Sequence, residues 1–541
     1  MTLPPSDNQS TLRSSSVMAV GTITSRVTGL LKNTALIAAV GSGVFADTYS
    51  IANTLPTVVY VLLVGGAINA VFIPQLVRHM KADSDEGLAY AQRLFSAVVF
   101  ALAVITVVAV IAAPWLMQLY STGWNRNDIE VATAFARLLL PQIFFYGVFA
   151  LVSQILNTRG RFGPPMFAPV LNNIVIISST LAFLAVAGTG TSTKTVTNGE
   201  VLLLGIGTTV GAAVQAVVLW PWLGRCGVRL RLRTDLRGQG LGVAWALARW
   251  AILLVLVNQI GTLVVLRLAT GINATSNANA GAAVYQMAFT IFMLPQSVIT
   301  VSLVTALLPN LAHQASSGNF DVVRERVGWT LRTSGSLIVP ASVAFIVLGV
   351  PISVLLFNYG SMTLESARLL GLTLSAFAIG LPAFSAYYVL MRAFYAIEDT
   401  RTPTYNAMIL NGANILLAVA AVRWVPADLT IPSLGLAYAV SYWIGLATLA
   451  QRLRHRLDRL DGYLVVRTYV RVALASLLAA VGMVAAALLA EAAVGLATDL
   501  TSSLVIVASG LAMGGVGYLL GVRIFRITEI SDILRLVARR H

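Results

Sequence analysis

The sequence predicts an all-α, polytopic membrane protein of about 14 transmembrane helices. They form two six-helix parallel pseudo-repeats followed by two extra C-terminal helices. Three observations carry this reading. Of the 541 residues, 57% are hydrophobic and only 11% charged, and the mean hydropathy is +0.82; soluble domains carry about 25% charged residues. Apolar runs of bilayer-spanning length, about 20 residues each, recur from end to end. Finally, arginines and lysines cluster in every second connection between those runs.

The first residues, MTLPPSDNQSTLRSSS (1–16), are polar and read as a mobile tail without the charged start of a secretory signal. The first span, 17–40, is the least typical, because it holds Arg26 and Lys32 well inside its ends. A cation at that depth costs roughly 2.5–3.5 kcal/mol on insertion scales. Thr22, Ser25, Arg26, Gly29, Lys32 and Asn33 recur at helical spacing and share one broad stripe, with Ile23, Val27, Leu30 and Leu31 opposite. Two readings fit. Both cations snorkel to the headgroups, or the stripe lines a wet, cationic cavity suited to an anionic substrate. The cost of burial favours the cavity.

The remaining spans fall at about 49–77, 94–119, 131–156, 166–188, 201–223, 243–269, 281–311, 327–357, 366–391, 403–422, 433–450, 468–491 and 502–524. Connections after even-numbered spans carry the cations, for example Arg78, Lys81 and Arg93, then Arg225 to Arg237 in the basic linker 224–242, and Arg452 to Arg467. By the positive-inside rule both termini are cytoplasmic. The net charge of +15 therefore points to anionic phospholipid rather than nucleic acid. The tail 525–541 places Ile527, Ile530, Ile533, Leu534 and Val537 on one side, as in a short interfacial helix.

The chain also resembles itself. Pro56 and Pro295 lie in matching motifs 239 residues apart, as do Pro164 and Pro403, and Asn172 and Asn411. "PQIFFY" at Pro141 echoes "PAFSAY" at Pro382. The N-lobe (17–223, helices 1–6) and the C-lobe (243–456, helices 7–12) thus read as parallel repeats, which place a substrate site between the halves near the midplane. Span 7 supplies Asn258, Gln259 and Arg267. Helices 13–14 (467–524) lie outside the repeat.

Composition and motifs exclude several classes. No phosphate-binding GxxxxGK[ST] loop is present. The single cysteine, Cys226, and four scattered histidines give no metal-ligand spacing, so neither metal nor cofactor is expected. No carboxylate pair occupies the outward connections, which argues against an enzyme such as a membrane-embedded glycosyltransferase. Acids are nearly missing from the spans, against a drug or cation antiporter.

"SRVTGLLKN", "ADTYSIANTLP", "GGAINAVFIPQL", "LNTRGRFGPPMFAPVLNNI", "LPQSVITVSLVTALLPNLA" and "FYAIEDTRTP" resemble the MurJ (MviN) family of lipid II flippases. That family sits within the multidrug/oligosaccharidyl-lipid/polysaccharide exporter superfamily, and the chain looks like an actinobacterial member. The resemblance implies export of the undecaprenyl-pyrophosphate-linked peptidoglycan precursor, lipid II, from the inner to the outer leaflet of the bacterial cytoplasmic membrane by alternating access, with cell-wall or division proteins as possible partners. It implies substrate-binding roles for Arg26, Lys32 and Asp47, beside Ser25, Asn33 and Arg267 from the residues themselves, and a groove for the lipid tail at helices 13–14. Two departures stand out. No cation follows Pro56 or precedes Pro295. Spans 7 and 11 offer Asn258, Asn411 and Asn414 where some members hold sodium with carboxylates. The alternative is a flippase for another polyprenyl-pyrophosphate-linked glycan, since the cations answer to the pyrophosphate and not to the sugar.

Overall fold

The computed structural model describes residues 5–62, 88–228, 230, 231, 233, 241–275, 281–457 and 462–529, and within them all regular structure is helical. Contacts divide the chain into two units, Met1–Gln259 and Ile260–His541. The division falls inside a long helix, α10 (Leu241–Thr275), and not in the basic linker.

In the first unit α1 (Pro5–Val40) is followed by α2 (Val44–Leu62), α3 (Leu88–Ile111), α4 (Ala113–Tyr120), α5 (Arg126–Leu139), α6 (Gln142–Thr158), α7 (Gly163–Ala187), α8 (Asn198–Val217) and α9 (Trp220–Arg225). The segment expected to be a mobile tail is helical from Pro5 onward, continuous with the first span. Gly41, at φ +75°, makes the turn into α2 in a conformation that favours glycine. α7 packs on both α1 and α8, α5 and α6 pack on α8, and α2 packs on α5. Phe45 of α2 contacts Phe135 and stacks on Phe183, and the Tyr49 hydroxyl meets Thr208 Oγ1 at 2.8 Å.

The second unit continues with α11 (Ala282–Pro295), a π-turn at Gln296–Thr300, α12 (Val301–Ser316), α13 (Phe320–Phe357), α14 (Leu364–Ala378), α15 (Leu381–Ala396), α16 (Arg401–Trp424), α17 (Ala427–Arg456), α18 (Gly462–Val494) and α19 (Leu500–Ile524). Pro295 has no N–H for the Ile291 carbonyl, and the helix continues through the wider π-turn. An aromatic cluster of Phe292, Phe377 and Tyr438 fills the core between α11, α14 and α17. α18 and α19 pack closely, and a Cβ on Gly521 would sit 2.6 Å from Ala475 Cα. Small residues at such a contact let helices approach without a hydrophobic drive. Glu529, just past α19, pairs with Arg332 of α13 at 3.2 Å and accepts from the Thr468 hydroxyl of α18.

Among the described residues eleven helical segments are long and apolar enough to cross a membrane, twelve with the bent pair α14–α15 counted as one span. The first two expected spans do not join them among the described residues. α2 is described only to Leu62, and α1 interrupts its apolar run with Arg26, Lys32 and Asn33. The expected end of span 2, with Gly65 and Gly66, and the expected interfacial helix beyond Glu529 lie outside the described residues.

The proline echo between the halves is visible as matched helix breaks. α5 gives way to α6 at Pro141, and α14 to α15, with a 48° bend, just before Pro382. Proline deprives the carbonyl four residues back of its donor, which for Pro382 is that of Ala378. Ser342 Oγ of α13 donates to it at 2.6 Å. The next carbonyl, Ile379 O, accepts from the Trp443 indole of α17 at 3.1 Å. In the first unit Leu138 O, 241 residues earlier, accepts from Thr209 Oγ1 of α8 at 2.6 Å. The matching carbonyls Leu138 O and Ile379 O are thus each served from the sixth span of their own unit, and α13 adds the donor for Ala378 O, as apolar surroundings without water require.

Candidate functional site

The polar stripe of α1 has two flanks, and the structure uses them differently. One flank docks on α7. A Cβ at Gly21 would lie 2.9 Å from Met166 Cβ. Asn173 Nδ2 donates to Thr28 Oγ1 at 3.0 Å and to the Ser25 carbonyl at 3.3 Å, and lies 3.6 Å from where a Gly29 Cβ would be. Ser25 and Gly29 are therefore partly packing positions. Their small size lets α7 approach, and Asn173 takes the carbonyl that becomes available. Lys32 stands one turn beyond Thr28 on this flank and is half-buried.

The opposite arc of α1 is apolar and exposed, with Val20, Ile23, Val27 and Leu31 each more than half accessible. Arg26 lies at the edge of that arc and is exposed; Asn33 is half-buried. At about 100° and 1.5 Å per residue, Arg26 and Lys32 are about 9 Å apart along the axis and about 120° apart around it. They do not point the same way, but they flank one segment of helix surface. Neither has a side-chain hydrogen bond or ion pair among the described residues.

Asp47 is fully buried in the first turn of α2, where a carboxylate complements the helix N-terminus. Behind it a polar seam runs through the unit's interior: Gln142 Nε2 donates to Asn53 Oδ1 at 3.3 Å, and Asn172 and Asn173 are both buried.

The second unit holds Arg267, half-buried on α10, whose carbonyl accepts from Thr270 Oγ1. α10 crosses α16 where Gly261 meets the Asn411 side-chain oxygen. Asn411 donates to Ala407 O, and the Asn414 oxygen is buried without a partner. Among the described residues no group of three His, Cys, Asp or Glu side chains could hold a metal ion.

A groove of about 560 Å³ opens between α13, α15, α17 and α18, walled by Leu331, Pro382, Leu390, Trp443, Val466 and Tyr469. Its lining is apolar almost throughout. The Trp443 indole is already committed to Ile379 O, and the Tyr469 hydroxyl is buried without a partner. The break before Pro382 bends α15 along one wall, and α18, from outside the six-span repeat, supplies another. Periodicity along any one of these helices gives no sign of the groove, because it arises where four of them meet.

A family model for the lipid II flippase MurJ matches residues 36–516. The match starts just beyond Lys32. Among named relatives, the probable lipid II flippase MurJ of Rhizobium meliloti is 27% identical over 402 residues, covering 74% of this chain and 73% of that protein. The lipid II flippase MurJ of Burkholderia cenocepacia is 27% identical, covering 72% and 73%. The probable lipid II flippase MurJ of Thermotoga maritima is 25% identical, covering 83% and 87%. Among solved structures, a lipid II flippase MurJ in an inward closed conformation superposes with a TM-score of 0.74 at 20% identity, covering 95% of this chain and 99% of that one. A multidrug resistance transporter of the MATE family, inward-facing, gives 0.65 at 16%, covering 82% and 99%.

Proposed function

The chain belongs to the lipid II flippase MurJ family, and from that premise we propose that it carries lipid II across the bacterial inner membrane by alternating access. The observation that carries the reading is the family match over residues 36–516. It is a multi-pass transporter and not an enzyme: it moves its cargo without making or breaking a covalent bond.

The physical task is to take a pyrophosphate and its glycan through a layer that excludes both. Arg26 and Lys32 bind the pyrophosphate in this reading, with Ser25 and Asn33 as hydrogen-bonding neighbours and Asp47 shaping the field, and Arg267 is the second unit's own candidate contact. Arginine offers a planar pair of donors to one phosphate, and lysine a compact charge to the other. That neither cation pairs with an acid among the described residues supports this. The long isoprenoid stays in apolar surroundings, and the groove between α13, α15, α17 and α18 has the lining for it. Binding moves the conformational equilibrium only by its difference in affinity between the inward and outward states. The membrane potential adds about 2.3 kcal/mol per charge per 100 mV.

Fourteen spans with both termini cytoplasmic is the topology that fits the charge pattern, and anionic phospholipid is the natural partner for the basic connections. Reconstitution tests the function. Proteoliposomes loaded with lipid II on one leaflet should expose it on the other, faster with a potential imposed. Protein-free and protein-containing vesicles behaving alike would refute the assignment.

A further inference from the structure

At the ends of α16 and α17 a second pocket, about 620 Å³, is lined by Arg401, Thr402, Tyr405, Met408, Arg452 and Arg456. It lies far along the chain from α1 and is built differently from the apolar groove. Its rim is cationic. Arg401 stands over the Tyr405 ring with its guanidinium 5.5 Å from the centroid, and Arg452 and Arg456 project from the last turns of α17. One carboxylate adjoins them. Asp399 lies 3.6 Å from Arg456 and is also held by the Thr402 backbone N–H and hydroxyl, at 2.9 and 2.7 Å. Among the described residues the pocket's lining holds three guanidinium groups and no carboxylate, at the N-terminus of α16, where backbone N–H groups also favour an anion.

The floor is apolar. Tyr405, Met408 and Ile409 are exposed on α16 directly beyond the arginines, and the same face continues through Gly412, where a side chain would meet nothing within 4 Å, to the strongly exposed Leu416. A cationic rim above an exposed apolar track has the chemistry of a phosphate joined to hydrocarbon. A soluble anion would use the rim and leave the track bare. A neutral lipid would use the track and leave the cationic rim unused. We propose that this pocket binds the headgroup phosphate of an anionic phospholipid, with one acyl chain lying along Tyr405, Met408, Gly412 and Leu416. The site is independent of the cargo reading and needs only that the chain sits in a membrane.

Native mass spectrometry of the full chain released from phosphatidylglycerol-containing and from phosphatidylcholine vesicles tests this. The wild type should retain phosphatidylglycerol and not phosphatidylcholine, and Arg452→Gln with Arg456→Gln should weaken retention about tenfold. Gly412→Trp, which fills the track and leaves the charges intact, should weaken it too. The charge-matched pair Arg423→Gln with Arg454→Gln, outside the pocket, should leave it unchanged. Equal retention by the Arg452/Arg456 variant, equal loss in the charge-matched pair, or displacement of the lipid by millimolar inorganic phosphate would each overturn the proposal.

Discussion

Asn173 of α7 reaches Thr28 of α1 at 3.0 Å and, through the same nitrogen, the Ser25 carbonyl at 3.3 Å. This amide ties the cation-bearing helix to α7. Thr28 also donates to the Thr24 carbonyl at 2.9 Å, so removing the amide strands no hydroxyl. Asn173→Leu should therefore cost only about 0.6–1.7 kcal/mol, the range for hydrogen bonds between membrane helices. Its larger effect should be on orientation: cysteines placed at Ser25 and Arg26 should exchange their relative labelling rates. Unchanged labelling would mean that shape alone sets the register.

Arg26→Ala should abolish lipid II export in the vesicle assay while leaving membrane insertion and abundance as in the wild type. Arg26→Ala with Lys32→Ala should be no worse than the more damaging single change if both hold one pyrophosphate. Strict additivity would place the two cations on separate tasks.

Filling the apolar groove tests the tail. Val466→Trp, or Ala473→Trp on the same groove wall, should slow transport of cargo with a full-length isoprenoid at least several-fold. A short-chain analogue, which does not need the groove, should cross at the wild-type rate. Equal slowing of both would assign the effect to the fold.

The capped helix break offers a stability test. Ser342→Ala leaves the Ala378 carbonyl buried without a donor, at a cost of about 1–3 kcal/mol. Ser342→Thr keeps the hydroxyl and should recover most of it. Thermal unfolding in detergent measures both, and Thr209→Val in the first unit should behave like Ser342→Ala.

Asp499 gives a pH dependence with a definite sign. Chiefly the Ser502 backbone N–H, with the Ser502 hydroxyl, holds the Asp499 carboxyl below its usual value. A depressed carboxyl stabilises α19 in full above the unfolded value, near 3.9, and the effect is lost as pH falls through the lower folded value. Amide protection at Ser502 and Ser503 should therefore stay level from neutral pH down to about 4 and drop below that. Asp499→Asn, which keeps a cap without the charge, should remove the drop. Hydrogen exchange checks both.

Much of the fold was legible because membrane helices declare themselves in hydropathy. From the third onward, each expected apolar segment meets a helix or a broken pair, and the proline echoes at Pro141 and Pro382 mark real breaks. The polar stripe of α1 was legible only in part. Periodicity showed that Ser25, Gly29 and Lys32 share a side with Arg26, but not that Asn173 would occupy half of it, because that depends on a partner some 140 residues away. The resemblance implied a groove at helices 13–14, whereas the groove found here takes one wall from α18 and none from α19, and the arginine-rimmed pocket on α16 and α17 was not legible at all. Arg452 and Arg456 read as ordinary loop charge until α16 brings Arg401 and an apolar floor beside them.

The ion pair between Glu529 and Arg332, with Thr468 as third member, bears on how the molecule can be tagged. A reporter fused behind His541 hangs twelve residues from that carboxylate, and its drag falls on the contact that fastens the end of α19 to α13 and α18. A bulky carboxyl-terminal fluorophore would thus load the wall of the apolar groove, so imaging and pull-down experiments should be paired with an untagged copy that reports whether export survives.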